Sequence, residues 1–288
     1  ARAQAGDRLT GADEVDQPRL CGEIAVIGCP VGVGDPGITH QIRQRPAQCP
    51  QRKAAGRTDA GVHALHQVAH FDLTEKQLAR LGRETIDDIA YKLNGVLPTD
   101  IRVNKVSLAP AGFDARFSAI NRRYRYRLAD QLAAKNPLES RYTLETWGKL
   151  DIDAMNEAGQ VLLGLHDFAA FCKPREGSTT IRELREIKIE RSPASQNSVI
   201  EVEIEADAFC HNMVRSIVGA LIGVGQGKAD AAKIKELLEK TNREGSFKVV
   251  SPHGLQLMAI GYPADELLAT QAREARNLRT LDDLQGDN

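Results

Sequence analysis

Residues 201–225, "EVEIEADAFCHNMVRSIVGALIGVG", decide the fold class. Val202 and Ile204 alternate with Glu201, Glu203 and Glu205, the period of a half-exposed strand. The period then changes. On a helical wheel Met213, Ile217 and Leu221 hold one side, and Val214, Val218 and Ile222 carry the apolar surface much of the way around. A half-exposed strand therefore feeds directly into a mostly buried helix. Arg215 is the exception inside it. A guanidinium keeps its proton and is costly to desolvate, so Arg215 needs a carboxylate, a phosphate or cleft water. A structural ion pair with one of the many glutamates satisfies it as well as a functional partner does.

Working outward, the same mixture recurs. "QVAHFDL" (67–73), "IRVNKVSLA" (101–109) and "RRYRYRLAD" (122–130) read as strands, and residues 75–95 as a charged helical stretch. From 151 a second, similar series begins. It has a helix through Leu163, a loop with "HDFAAFCK", strands at 180–191 and 198–206, helices from about 208 and near 230–240, and a strand at 255–261. Strands and helices without strict βαβ alternation predict an α+β fold with a largely antiparallel sheet. Two lobes of similar make-up suggest a cleft between them. The chain divides into an irregular segment 1–54, a first half 55–150, a second half 151–263 and a charged, helical tail 264–288.

A chain of 288 residues suits two domains, or one domain with two lobes. Its net charge of −1 demands no polyanionic partner, so any basic surface must be local. The five cysteines, at 21, 29, 49, 172 and 210, form no CxxC pair and no zinc spacing, and read as reduced thiols in a cytoplasmic protein. No run approaches the length of a membrane span, and no secretory leader is visible.

Two glycine-rich runs are decoys. Gly32, Gly34 and Gly37 follow the strand-like "EIAVIG" with dinucleotide-binding spacing, but Pro36 and Pro46 bracket a polar run with no helix to seat a pyrophosphate. "GVGQGKAD" (223–230) lacks the Ser or Thr after Lys228 and follows a helix instead of a strand.

Two other segments point to chemistry. In "GRTDAGVHA" (56–64), Gly56 and Gly61 permit a sharp loop that presents Asp59, although an ordinary Asp-containing turn reads the same way. In "FDARFSAINRRYRYR" (113–127), Arg116, Arg122, Arg123, Arg125 and Arg127 form a positive stripe, with Tyr124 and Tyr126 on one face of the strand. Arginines beside aromatic rings suit phosphate contacts and base stacking, and equally a solvated basic face over core tyrosines.

Taken together and in order, "GRTDAGVHA", "FDARFSA..RRYRYR", "HDFAAFCK" and "AFCHNMVRSIVGALIGVG" resemble the signature blocks of the tRNA pseudouridine synthase A family over about residues 54–263. The resemblance implies a cofactor-free, metal-free isomerase that converts uridine to pseudouridine in the anticodon stem-loop of tRNA. It further implies a homodimer, each subunit having two ferredoxin-like halves around a central positively charged cleft. Asp59 then matches the essential aspartate, Tyr124 the tyrosine beside the target base, and Arg215 the basic partner of that aspartate. Arg57 and Arg116 resemble backbone or substrate contacts, and Arg122 and Arg123 of the arginine stripe are expected to bind the tRNA substrate.

Residues 1–54 depart from the family, lacking its opening Tyr-Asp-Gly strand, Gly-Trp pair and helix. With prolines at 18, 30, 36, 46 and 50, this region is expected to be mostly irregular and to leave the first half short of strands. A displaced reading frame or a divergent extension accounts for it. The alternative function is a tRNA-binding relic too incomplete to catalyse.

Overall fold

The computed structural model describes residues 19–26, 52–56, 58–73, 86–192, 198–242, 247–280 and 282. The strands are β1 (Arg19–Val26), β2 (Arg52–Ala54), β3 (His63–Asp72), β4 (Ile101–Leu108), β5 (Asn121–Ala129), β6 (Leu144–Glu145), β7 (Gly164–Asp167), β8 (Ile181–Arg191), β9 (Ile200–Ala206) and β10 (Leu255–Gly261). The α-helices are α1 (Ile86–Val96), α2 (Ile152–Gln160), α3 (Met213–Gly225), α4 (Ala231–Leu238) and α5 (Leu268–Glu274). The fold is α+β. Among the described residues ten strands join one sheet in the order β4-β1-β3-β10-β5-β9-β8-β7, with β2 added to β3 and β6 to β5. Pairing is antiparallel except at β3–β10 and β5–β6.

The two series of elements interleave at the centre of the sheet, where β10 of the second lies between β3 and β5 of the first, and β3–β10 is the parallel seam. Two register pairs, Gln256 with His63 and Leu257 with Ala64, make that seam, and β10 continues antiparallel along β5 through Leu257 opposite Tyr124. The same edge of β3 is shared further along by β2, at Arg52–Phe71 through Ala54–Ala69. The loop carrying Asp59 is thus the tip of the β2–β3 hairpin, placed where β3 passes from β2 to β10.

On the β5 side of that seam, Ile200, Val202, Ile204 and Ala206 of β9 and Tyr126 and Leu128 of β5 are buried with Met213, Ile217, Val218 and Leu221 of α3. Apolar alternation on the strands and a wide apolar stripe on α3 explain this layer. The opposite sheet face is charged. Arg123, Arg125 and Arg127 stand directly across from Glu205, Glu203 and Glu201. Asp130, at the end of β5, is fully buried and accepts both guanidinium nitrogens of Arg191 at 2.9 and 2.8 Å and the backbone N–H groups of Leu132 and Leu150. In the first half α1 lies on β4, where Asn94 donates to the Val103 carbonyl at 2.8 Å and accepts its N–H at 2.7 Å.

One expectation about residues 1–54 is corrected. Residues 19–26, counted within an irregular segment, form a strand lodged between β3 and β4 and antiparallel to both. The physical reason is that β3 and β4 would otherwise present unpaired N–H and C=O groups, and any extended stretch able to ladder with both satisfies them. Arg52–Ala54, at the end of the same segment, form β2 against β3, and the remainder, with the glycines at 32, 34 and 37, lies outside the described residues, as does the expected helical stretch before Ile86. The second glycine run is the end of α3, closed by Gly227 at φ 70°. The helix expected from about 208 begins at Met213, after an Asn212 in the left-handed region at φ 70°. Strand β7, which runs into the segment expected as a loop at His166 and Asp167, pairs with β8.

Candidate active site

The Asp59 loop is held from behind by one side chain. Gln67, 1% exposed, donates to the Gly56 carbonyl at 3.0 Å and accepts the Gly56 and Val68 N–H groups at 3.3 and 3.2 Å. The Ala55 N–H reaches the Val68 carbonyl at 2.8 Å, and the Val62 N–H closes a turn on the Asp59 carbonyl at 3.0 Å. Gly61 sits at φ 83° with its missing side chain facing the His253 ring, so the turn needs glycine both for its dihedral and for its clearance. This anchoring leaves the Asp59 carboxylate 42% exposed at the hairpin tip.

Arg215 reaches it from α3. Its Nη1 is 3.6 Å from Asp59 Oδ2, its Nε donates to the Val250 carbonyl at 2.7 Å, and Nη1 is 3.4 Å from Asn212 Oδ1. The segment carrying Val250 crosses α3 closely, because at Gly219 a side chain would run into the Lys248 carbonyl and at Gly223 into the Phe247 ring. Two glycines one turn apart therefore bring in the carbonyl that orients the guanidinium. At 17% side-chain exposure, Arg215 is the buried cation that the apolar helix requires to find a partner, and the partner is Asp59.

Tyr124 projects from β5 onto the same face. Burial pushes its phenol up to about 12, with the Arg122 guanidinium lowering it and Asp59 raising it further. The ring meets Phe209 edge-on at 5.1 Å and 90°, and its hydroxyl lies beside Gly56. A neutral hydroxyl and a half-enclosed aromatic face thus stand next to the displayed carboxylate.

The arginine stripe divides. Arg122 turns inward and donates to the carbonyls of Ala119, Asp207 and Arg116 at 3.1, 2.7 and 2.5 Å, and burial holds its guanidinium below the usual range. Arg123 points to the opposite face and pairs with Glu205 at 2.8 Å and Glu186 at 3.5 Å. Arg125 and Arg127 pair with Glu203 and Glu139 on that far face. The reading of these arginines as one positive stripe is corrected: strand alternation sends odd and even residues to opposite faces, and β9 meets the odd ones with glutamates. Arg116 is exposed, its guanidinium 5.2 Å from the Phe117 ring centre. Arg57 lies outside the described residues.

Sequence reasoning passed over His211, Phe209 and Gln67. His211 Nε2 is 3.6 Å from the same Asp59 Oδ2 that Arg215 addresses. Its place in "FCHNMVR", ahead of α3 on the side of Arg215, was the available signal. Cys172 and Cys210, 5.7 Å apart at Cα, are joined as a disulfide, which corrects the reading of five separate thiols. They are 38 residues apart, and the packing of the "HDFAAFC" turn against the loop before α3 brings them together. Among the described residues no group of three His, Cys, Asp or Glu side chains is placed to hold a metal ion.

The sequence model of the tRNA pseudouridine synthase family matches residues 158–263, which include Arg215 and His211. A tRNA pseudouridine synthase A from Streptomyces griseus is 50% identical over 227 residues, spanning 79% of this chain and 78% of that protein. The chain belongs to the tRNA pseudouridine synthase A family. Further members of the family include proteins from Frankia casuarinae, 44% identical over 84% of this chain and 86% of theirs, and Mycobacterium leprae, 42% identical over 79% and 81%. No helix among the described residues is long and apolar enough to cross a membrane.

Proposed function

We propose that this chain isomerises uridine to pseudouridine in tRNA, within the anticodon stem-loop, with Asp59 as the reacting carboxylate. The observation that carries the reading is the meeting of Asp59, Arg215 and Tyr124, brought from a hairpin tip, a buried helix and a central strand to one place at the seam of the sheet. Membership of the family supports the reaction and the tRNA substrate.

The reaction breaks the N1–C1′ bond, turns the uracil and joins C5 to C1′, with the C5 proton leaving and N1 gaining one. No group enters and no electron is lost, so one carboxylate, one cation and one aromatic wall are enough. Asp59 attacks C1′ or a uracil carbon, or removes a ribose proton. Arg215 balances its charge. Tyr124 stacks against a base turned out of its helix, or assists removal of the C5 proton. Two ferredoxin-like halves about the β3–β10 seam, a positively charged cleft between them, a homodimer and a cytoplasmic location complete the proposal. Arg57 and Arg116 are proposed as tRNA contacts.

The test is pseudouridine formation on an unmodified tRNA transcript. Wild-type chain turns over, and Asp59→Asn abolishes turnover while tRNA binding persists. Substantial turnover by Asp59→Asn refutes the assignment, and tRNA binding without turnover by the wild-type chain favours the relic.

A further inference from the structure

Asp59 receives two basic groups on one oxygen. Arg215 Nη1 and His211 Nε2 both lie 3.6 Å from Oδ2, whereas Oδ1 takes no hydrogen bond or ion pair from the described residues. Arg215 comes from within α3, and His211 from the loop ahead of it. That loop is tightly fixed. The Lys173 N–H donates to the His211 carbonyl at 2.9 Å, the neighbouring Cys210 is bonded to Cys172, and Asn212 turns the chain through the left-handed region before α3 begins. The His211 side chain is itself 45% exposed, so packing does not account for its position.

We propose that His211 is a positioning residue for Asp59. Its Nε2 and the Arg215 guanidinium together set the carboxylate plane, leaving Oδ1 as the oxygen that meets the substrate. This rests on the reading of Asp59 as the reacting carboxylate. A carboxylate half in solvent rotates freely about its last bond, and a single contact through one oxygen leaves that rotation open. Two donors, one from α3 and one from the loop just ahead of it, restrict it, which is the kind of orientation that raises the rate of a step without changing affinity. At 3.6 Å the contact is longer than a hydrogen bond, and the role requires it to shorten to one once substrate is bound.

Three substitutions separate this role from a structural or tRNA-contact role. Gln carries an amide nitrogen where His carries Nε2, Asn carries one only where His carries Nδ1, and Ala carries neither. His211→Ala and His211→Asn are expected to lower kcat about fivefold to tenfold with KM within about twofold, and His211→Gln to recover most of the loss. All three should melt close to wild type, given the exposure of the side chain. Unchanged kcat in His211→Ala, a change confined to KM, or equal losses in the Gln and Asn variants each overturn the inference. Asp59→Asn is measured beside them. If it retains turnover, the reading of Asp59 falls and this inference with it. If it is inactive while His211→Ala is fully active, only the inference falls.

Discussion

Replacing Arg215 with Met tests the pairing at the centre of the site. Met has about the length of the arginine stem and fits the apolar surface of α3, so the change removes charge and two donors while filling most of the space. Unit charges 3.6 Å apart attract by roughly 4–5 kcal/mol at an effective dielectric constant of about 20. Asp59 is 42% exposed, and solvent screening reduces this to about 1–2 kcal/mol. If that stabilisation is kept through the reacting step, its loss lowers kcat roughly fivefold to thirtyfold. On the folding side, the Val250 carbonyl loses its 2.7 Å donor, a cost of about 1–3 kcal/mol, partly offset because a buried cation no longer needs to be desolvated. The assay pairs single-turnover pseudouridine formation with thermal melts of the same preparations. The expected result is a clear loss of rate with a fall in Tm of only a few degrees. A variant with near wild-type rate and collapsed stability refutes the reasoning, leaving Arg215 as a structural tie to Val250 and Asn212.

Three other outcomes follow from the same geometry. Asp130→Ala should destabilise the fold by about 3–5 kcal/mol in urea titrations, because it leaves the Arg191 guanidinium only the Ser198 carbonyl and strands two backbone N–H groups. Burial raises the Asp130 carboxyl, but its bonds to Arg191, Leu150 and Leu132 outweigh this and hold it below its usual value. Its contribution is therefore complete above the unfolded carboxyl value of about 4 and fades as pH falls through the lower folded value, so the stability gap to Asp130→Asn should close only in acid. The ultraviolet titration difference between wild type and Tyr124→Phe should lie near 12, and a difference centred at the ordinary phenol value of about 10 contradicts the enclosed phenol. Arg123→Gln should leave the Kd for tRNA and its salt slope nearly unchanged, since Arg123 is engaged with Glu205 and Glu186 on the far face; a flattened slope would return it to the tRNA path.

By itself the sequence determined the α+β class and most strands and helices, and it singled out Asp59, Tyr124 and Arg215, which the fold brings together. Val202 and Ile204 alternate, Met213 to Leu221 repeat on a helix, and the glycines around Asp59 permit a sharp loop; these are local signals, written in periods and dihedrals that need no partner to be read. The isolated charge of Arg215 inside an apolar helix was visible too, because desolvation makes such a charge demand a partner wherever it lies. Which partner it finds was a tertiary matter. The 3.6 Å approach to Asp59 depends on a parallel seam of two register pairs and on Val250 crossing α3 at Gly219. Tertiary structure also decided that strand β1 fits between β3 and β4, that Cys172 meets Cys210, and that His211 shares an oxygen with Arg215. The arginine stripe shows the division most plainly. Alternation along β5 was legible, but the glutamates of β9 that neutralise one side of it became neighbours only when the strands paired, because cross-strand contacts join residues that no local period connects.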